Sequence, residues 1–555
     1  MGLPDLAPNG REAMEARRNW GLAGVVCTGV GVAAGELIAA VVSPSASPVS
    51  AVGQGVIGAL PGGTKEWAIH LFGTSDKTVF LATMVVIMAV LAAVAGLLER
   101  TRRGLGLALI AVFGVAGIVA VAARPDISGM AFVAPVVAAG LAMVLLAWVR
   151  SRFLAPSLAR VLKAEYDARR RARVPGPPPV PAPADTAPEP TDPAAGAGQG
   201  TTRRSFLGYM GAGAAVAVLA GGAAVMLRRA SVAVAGLRAK VVLPRALRPA
   251  PPVPAAAVLD IAGITPLVTD PNNFYRIDTA LVVPAVNSDT WKLTVTGLVE
   301  HEITMDFAQL LAKPMVESYV TIGCVSNDVG GNLVGNARWL GWPVRELLAE
   351  AGVKPGADMV LSRSTDGFTA GTPLAAMTDA RNAMIAVGMD GAPLPLVHGY
   401  PARLIVPGLY GYVSATKWLA ELKVTTFTAD QGYWTPLGWS ALGPIKTASR
   451  IDVPNAGATP AAGRYVAAGV AWSPERGIAA VQVQLDGGPW QGATLAAALN
   501  KDTWVQWQAP LDLTAGHHQL KVRAVDGTGA VQTGDIAPPA PNGATGWHTV
   551  EFTAR

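Results

Sequence analysis

Cysteine is nearly absent: the 555 residues hold two, Cys27 and Cys324. Cys27 lies in an apolar run and Cys324 in a polar Gly/Asn-rich stretch, so a bond between them is not expected and no disulfide framework exists. Histidine is almost as scarce, with His70, His301, His398, His517, His518 and His548 the full set. Only His70 precedes residue 230, which excludes a bis-histidine haem between hydrophobic segments. A Cys-x-x-Cys-His haem attachment site is also missing. Charged residues make up 15% of the chain against 51% hydrophobic, and the mean hydropathy is +0.37. A wholly soluble protein is therefore not expected. The net charge of +6 does not point to nucleic acid, because most basic residues flank apolar segments, where topology explains them.

What is present is apolar length. Four stretches, roughly 21–43, 78–98, 105–123 and 130–149, are each long enough to cross about 30 Å of hydrocarbon as a helix. A fifth, roughly 206–227, is Gly/Ala-rich and milder. Arginines precede the first span (Arg11, Arg17, Arg18), separate the second from the third (Arg100, Arg102, Arg103) and follow the fourth (Arg150, Arg152, then Arg169, Arg170, Arg171, Arg173). The opposite loops carry only Lys65, Lys77 and Arg124. The positive-inside rule then puts the N-terminus in the cytoplasm, and five crossings put everything after residue 228 outside. Arg228, Arg229, Arg238 and Lys240 run against that bias.

The residues before the fifth span answer this. Thr201-Thr202-Arg203-Arg204-Ser205-Phe206-Leu207 followed by a weakly hydrophobic run resembles a twin-arginine export signal, here internal. Between the fourth and fifth spans, residues 175–193 hold nine prolines and read as an extended linker. Glu36 lies within the first span, where a carboxylate is either functional or a protonated, hydrogen-bonded packing residue. Cys27 reads as packing.

After residue 260 the pattern becomes that of a globular α/β chain, with strand-like runs at Trp291–Val295 and Tyr319–Ile322 and a helix at Val344–Ala351. Cys324 follows the second run in Thr321-Ile322-Gly323-Cys324-Val325-Ser326-Asn327, ahead of Gly335-Asn336-Ala337-Arg338-Trp339. A thiol at the mouth of such a loop, with an arginine near, can serve as a soft metal ligand; a buried inert cysteine is the plainer alternative. Further on come His398-Gly399-Tyr400-Pro401-Ala402-Arg403, Pro407-Gly408-Leu409-Tyr410-Gly411 and Lys417-Trp418. Cationic donors alternating with Gly and Pro suit a phosphorylated, heteroatom-rich ligand.

Taken with Asn273-Phe274-Tyr275-Arg276 and Asp366-Gly367, these pieces resemble the sulfite oxidase family of molybdopterin-dependent oxidoreductases over roughly 260–555. The resemblance implies a molybdenum-molybdopterin cofactor, with Cys324 as the single protein thiolate on the metal. It implies cofactor contacts from Asn273, Tyr275, Arg276, Asp366, His398, Arg403 and Lys417. Arg276 and Arg338 would line a positive substrate pocket, with Tyr433 as the pocket tyrosine and Arg476 as a further candidate. From about 447, short strand-like runs (Gly469–Trp472, Ala480–Leu485, Trp504–Gln508, His518–Val525, His548–Phe552) are separated by turns. They suit an immunoglobulin-like sandwich resembling the family's dimerisation domain. Trp504 and Trp507 read as packing.

The expected organisation is a four-helix transmembrane region (1–152), a cytoplasmic linker (153–202), the twin-arginine motif and fifth helix (203–228), and an extracytoplasmic linker (229–258). A molybdopterin-binding α/β catalytic domain (259–446) and an all-β immunoglobulin-like domain (447–555) follow. The implied function is oxygen-atom transfer to or from a small oxyanion or S-oxide, in a multi-pass protein of the cytoplasmic membrane. Its expected partners are membrane lipid, the twin-arginine translocase, an external cytochrome or quinone-linked electron carrier and a second copy of the chain. No haem in the chain and no nucleic acid are expected. Two alternatives stand beside sulfite oxidation: reduction of S- or N-oxides, as in a methionine sulfoxide reductase, and a membrane transporter or sensor with a regulatory molybdopterin-binding domain.

Replacing Arg203 and Arg204 by Lys is expected to strand a folded catalytic domain on the cytoplasmic side while the first four spans still insert. Protease protection in right-side-out vesicles measures this, and normal exposure of the double variant refutes it.

Overall fold

The computed structural model describes residues 10–42, 47–59, 76–122, 132–153, 165–166, 208, 210–211, 213–218, 221–222, 230–280 and 283–555. The chain divides into two compact units, Met1–Arg228 and Arg229–Arg555. Arg203 and Arg204 lie outside the described residues, as does half of the fifth span.

In the first unit, helices α1 (Gly10–Val42), α2 (Pro48–Ala59), α3 (Asp76–Thr101), α4 (Leu105–Ala122) and α5 (Val133–Phe153) pack together. Among the described residues four windows are long and apolar enough to cross a membrane: Arg17–Ala39, Val79–Thr101, Leu105–Ala122 and Val133–Arg152. They coincide with the four strongest runs of the sequence. Helix α2 was not expected; its 12 residues span about 18 Å, too short to cross. α1 and α3 touch backbone to backbone at Gly24 and Gly96, where a methyl group on either would run into the other helix. In lipid such close approach replaces the hydrophobic drive that water provides elsewhere.

Two buried carboxylates in this unit are capping groups. Glu36 accepts from Ser47 Oγ at 2.8 and 2.9 Å and from Val49 N at 3.0 Å, which satisfies the open start of α2. Its packing role is the one the geometry supports. Glu99, 1% exposed, went unremarked in the sequence. It accepts from the amides of Gly104, Gly106 and Leu107 and lies 3.7 Å from Arg150. A carboxylate at the positive end of α4 is favourable.

The second unit opens with α6 (Ala230–Lys240) and contains two layers of sheet and then a third, all-β part. One sheet joins β1 (Lys292–Gly297), β2 (Ile303–Asp306), β5 (Met359–Ser364), β6 (Thr369–Pro373) and β10 (Leu419–Thr425) in the order β2-β1-β10-β5-β6, with β1 and β10 parallel. The other joins β3 (Val316–Gly323), β4 (Val334–Pro343), β7 (Met384–Met389) and β8 (Ala392–Pro393), with β9 (Arg403–Ile405) also paired to β7. Helices α7 (Phe307–Leu311), α8 (Val344–Ala351) and α9 (Leu374–Thr378) complete this α/β domain. α7 starts at Asp306 with a capping box to Gln309. α8 ends at Gly352, whose φ of +68° closes the helix. The shared core is Leu293, Trp342, Leu347, Ile385, Leu404 and Leu422, all fully buried. β3 is buried along nearly its whole length, its polar Ser318 and Thr321 included.

From Ala448 two four-stranded antiparallel sheets face each other. The first is β11 (Ala448–Val453), β12 (Gly463–Trp472), β16 (Val505–Leu513) and β15 (Thr494–Leu495). The second is β14 (Gln491–Gly492), β13 (Ile478–Leu485), β17 (Gly516–Asp526) and β18 (His548–Ala554). Ala467, Val483, Trp507, Leu520, Val522 and Phe552 fill the space between them. Trp507 is fully buried there and Trp504 is buried beside β3, donating Nε1 to Leu267 O at 2.7 Å. Both are packing residues, as their setting in the sequence suggests.

Trp507→Ala empties the centre of this sandwich and is expected to cost about 3–5 kcal/mol. Thermal unfolding measures it; a loss below about 1 kcal/mol would show that the sandwich core does not depend on this ring.

Candidate active site

The site grows from the end of β3. Cys324 is the first residue beyond the strand; its amide donates to Leu333 O at 2.9 Å and its carbonyl accepts from Asn327 N at 3.1 Å. Asn327 Oδ1 accepts from Leu333 N at 2.7 Å, closing the loop on itself. Cys324 is buried and forms part of the wall of a cavity of about 400 Å³, with Tyr410, Lys446, Trp472, Arg476 and Gln532 among its other lining residues. The α/β domain and the sandwich both contribute to that wall.

On the inner side lies a group of buried cations. Arg403 is 3% exposed and Lys417 9%. Arg403 donates to His398 O and Ala415 O, both at 3.2 Å, and its Nε has no partner. Lys417 Nζ donates to Asp278 Oδ2 at 3.0 Å and Val397 O at 3.2 Å. Arg276 Nε reaches the same Asp278 oxygen at 3.2 Å. His398 is 2% exposed; Nε2 meets Pro271 O at 2.8 Å, so it carries the proton, and Nδ1 is a buried acceptor without a partner. Burial pulls Lys417 down to about 8 against the partial restoring effect of Asp278. Burial likewise pulls Arg403 to about 10 and His398 to about 4, with Lys417, Arg403 and Arg276 adding repulsion. Buried Lys417 and the more exposed Arg276 thus share one described carboxylate, Asp278, while buried Arg403 and His398 meet only backbone carbonyls. Buried charge without a counter-charge is costly, so the donor set fits an anionic ligand with several acceptors.

Tyr275 connects this group to the thiol. Burial raises its hydroxyl well above the usual phenol range, and the nearby Cys324 raises it further while Arg403 opposes. Its ring stacks on Phe274 at 5.3 Å, and Phe274 packs edge-on against Trp339 and His398. Gly335 makes this possible, since a Cβ there would lie 2.7 Å from the Phe274 ring.

Cys324, Tyr275, Arg276, His398, Arg403 and Lys417 are therefore brought together. The others stand apart. Asn273 sits in the turn at 270–273, its amide on Asp270 O, next to the Pro271 carbonyl that holds His398. Asp366 accepts from Phe368 N at 3.1 Å in the turn between β5 and β6, and Thr365 of that turn donates to Trp418 O beside Lys417. Arg338 pairs in register with Tyr319, five residues before Cys324, which is about 16 Å along the strand. Its side chain lies 3.8 Å from Glu317, away from the thiol. Tyr433 packs on Phe368 and Trp434 at 6.0 and 5.1 Å and does not line the cavity. Arg476 does line it, donating to Asp526 at 2.9 Å and Ile445 O at 2.9 Å. Three residues escaped the sequence reading. Asp278 stands two positions after Arg276, and Tyr410 lies inside a quoted motif; both were open to notice. Lys446, which donates to Gly543 O at 2.6 Å and Asn542 Oδ1 at 3.0 Å, carries no local signal.

Residues 280–434 match the family model described as "Oxidoreductase molybdopterin binding domain". The chicken (Gallus gallus) sulfite oxidase is 26% identical over 48% of this chain and 69% of its own length. The human (Homo sapiens) mitochondrial sulfite oxidase is 28% identical over 48% of this chain, which spans 58% of that protein. A protein of Bacillus subtilis named uncharacterized oxidoreductase YuiH is 33% identical over 28% of this chain and 74% of its own length. The chain belongs to the sulfite oxidase family of molybdopterin-dependent oxidoreductases. It is an oxidoreductase, and its cofactor is molybdenum-molybdopterin. The matched region of this family member contains Cys324 and all of the buried cation group except Tyr275, Arg276 and Asp278, which precede it.

Lys417→Met tests the cation group by sign. Without cofactor, removing an under-compensated charge is expected to raise thermal stability at neutral pH. With cofactor, it is expected to lower stability and weaken retention roughly ten- to hundredfold. The pH dependence follows the same logic. Between about 8 and the ordinary 10.5 the unfolded chain holds a proton that folded Lys417 does not. Stability of the cofactor-free protein therefore rises with pH through that window, and the variant loses this rise. Unfolding scans of both forms across pH measure it; identical behaviour of variant and parent refutes the assignment.

Proposed function

We propose that this chain is a membrane-anchored, extracytoplasmic sulfite oxidase-like enzyme that transfers an oxygen atom to or from a small oxyanion at a Cys324-ligated molybdenum centre. The observation that carries it is a buried thiol in a cavity wall, adjoined by under-compensated buried cations. Cys324 is the protein's thiolate on the metal. Arg403 and Lys417 grip the pterin phosphate, and the unpartnered Nε of Arg403 and Nδ1 of His398 give the cofactor a donor and an acceptor. Tyr275, Arg276, Asn273 and Asp366 complete its surroundings directly or by shaping the turns that carry those groups. When bound, molybdenum supplies the two-electron oxygen-atom transfer.

This chain's own groups do the rest. Arg476 lines the cavity and, with Arg276 of the neighbouring cation group, supplies the positive potential that orients an oxyanion. Tyr410, pushed by burial to about 12 with Cys324 adding to the rise, stays protonated and can donate a hydrogen bond into the cavity. Arg338 and Tyr433 take no part in this proposal, because of where they lie. Electrons leave to an external cytochrome or quinone-linked carrier. The four apolar helices, with the fifth run, fix the enzyme to the cytoplasmic membrane, and the twin-arginine translocase exports the folded domain. The sandwich is immunoglobulin-like and offers a surface for a homodimer.

A second reading, reduction of neutral S-oxides, has one observation in its favour. Arg476 is committed to Asp526 and Lys446 to Asn542 Oδ1 and Gly543 O, so few cations facing the cavity are uncommitted. Steady-state assays of the loaded enzyme against sulfite and against sulfoxides separate the two.

Cys324→Ser is expected to keep the pterin, whose phosphate contacts lie elsewhere, and to lose most turnover, because serine offers a harder donor with a far less acidic proton. Metal content, pterin content and turnover are measured on one preparation. Turnover per bound molybdenum equal to the parent's removes Cys324 from the mechanism.

A further inference from the structure

Arg476 reaches the cavity from the turn between β12 and β13. The backbone of that turn is fixed on several sides. Glu475, just before the arginine, holds φ of +73°, a left-handed conformation that a non-glycine residue keeps only where its surroundings impose it. Arg476 N donates to Ser473 O at 3.0 Å, and Gly527 N donates to Gly477 O at 3.1 Å. A methyl group at Gly527 would run into the Arg476 carbonyl. Glycine there lets the turn after β17 lie directly against the turn that carries the arginine.

Asp526, the last residue of β17, sits at this contact and is 2% exposed. Its Oδ1 accepts from Thr528 N at 3.0 Å, Thr528 Oγ1 at 2.6 Å and Ala530 N at 3.1 Å. Its Oδ2 accepts from Arg476 Nε at 2.9 Å and from Thr447 Oγ1 at 3.0 Å. Five donors suit an ionised carboxylate. Burial raises the Asp526 carboxyl, but the bonds from Thr528, Thr447 and Ala530 outweigh it and hold it at about 2. A carboxylate pinned at both oxygens cannot follow a moving arginine, so the arginine takes its orientation from the carboxylate. Arg476 Nη2 is tied as well, to Ile445 O at 2.9 Å and Thr447 Oγ1 at 3.3 Å. Nη1 makes no hydrogen bond among the described residues, and the side chain is 32% exposed. With two corners of a planar guanidinium fixed, the third is aimed.

We propose that Asp526 is a positioning residue for the substrate: it holds Arg476 so that Nη1 meets an oxyanion in the cavity. Asp526 is itself absent from the cavity wall and acts only through the arginine. The inference rests on the oxyanion reading above and deepens it. An arginine ordered before the ligand arrives loses little side-chain freedom on binding. Asparagine at 526 has nearly the same volume but a single acceptor oxygen. If that oxygen keeps the Thr528 and Ala530 donors, the amide nitrogen faces Arg476 Nε, and two donors oppose each other.

The test titrates sulfate, a non-reacting oxyanion, into the full-length, cofactor-loaded protein by calorimetry. Arg476→Gln and Asp526→Asn are each expected to weaken sulfate binding roughly tenfold. In the Arg476→Gln background Asp526→Asn should change nothing further, because its route to the anion is gone; a merely structural aspartate would give effects that multiply. Thr528→Ala keeps the test open if Asp526→Asn does not fold. Thr528 is exposed and lies off the cavity wall, and its loss should weaken sulfate about threefold, again only while Arg476 is present. Multiplying effects in the double variants overturn the positioning role alone. So does unchanged affinity in whichever of the Asp526 and Thr528 variants folds, provided that Arg476→Gln weakens binding. A parent that binds no sulfate, or an Arg476→Gln variant that binds it as the parent does, overturns the oxyanion reading and the positioning role with it.

Discussion

The arrangement depends on a charge imbalance. Arg276 and Lys417 both lean on one oxygen of Asp278, and Arg403 beside them has only backbone carbonyls as acceptors. A soluble core normally avoids such a grouping, because the desolvation of each cation exceeds what carbonyl dipoles return. A bound anion would settle the imbalance. Cofactor binding and folding stability are therefore linked through buried Arg403 and Lys417.

The aromatic packing beneath this group sets its geometry. Trp339 of β4 lies under the Arg403 guanidinium at 5.1 Å and against Phe274 at its edge. Phe274 in turn holds Tyr275 and His398 in place. One tryptophan thus fixes residues from three distant parts of the chain, and its indole Nε1 is itself bonded to Val320 O on β3. The strand that leads into Cys324 and the strand that carries Trp339 are neighbours in register.

Much of this could be read in the amino acids. Membrane-length apolar runs announce their helices because lipid imposes one length and one composition. Helix Val344–Ala351 matches its sequence reading residue for residue, since its apolar positions have a clear helical period. His398, Arg403 and Lys417 were legible because three chemically distinctive residues fall among Gly and Pro within twenty positions. Arg338 illustrates the limit. Proximity to Cys324 in the sequence suggested proximity in space, but the β3–β4 hairpin carries the chain away again and sends the arginine to Glu317. Glu99 was missed because a carboxylate at the end of an apolar run looks like the edge of a span; only the fold shows its three amide donors. Lys446 was missed because its role is set by a loop about a hundred residues later.

The contacts between β3 and the sandwich have a consequence for biosynthesis. Thr321, three residues before the thiol, donates its amide to Asp502 O and accepts the Trp504 amide on its hydroxyl, while Gln532, Thr545 and Gly546 finish the cavity wall. A nascent chain that has emerged only as far as the α/β domain lacks both the brace behind Cys324 and that wall. The pocket becomes complete only after translation has passed residue 546. Loading of a large prosthetic group into a finished pocket is then a late event.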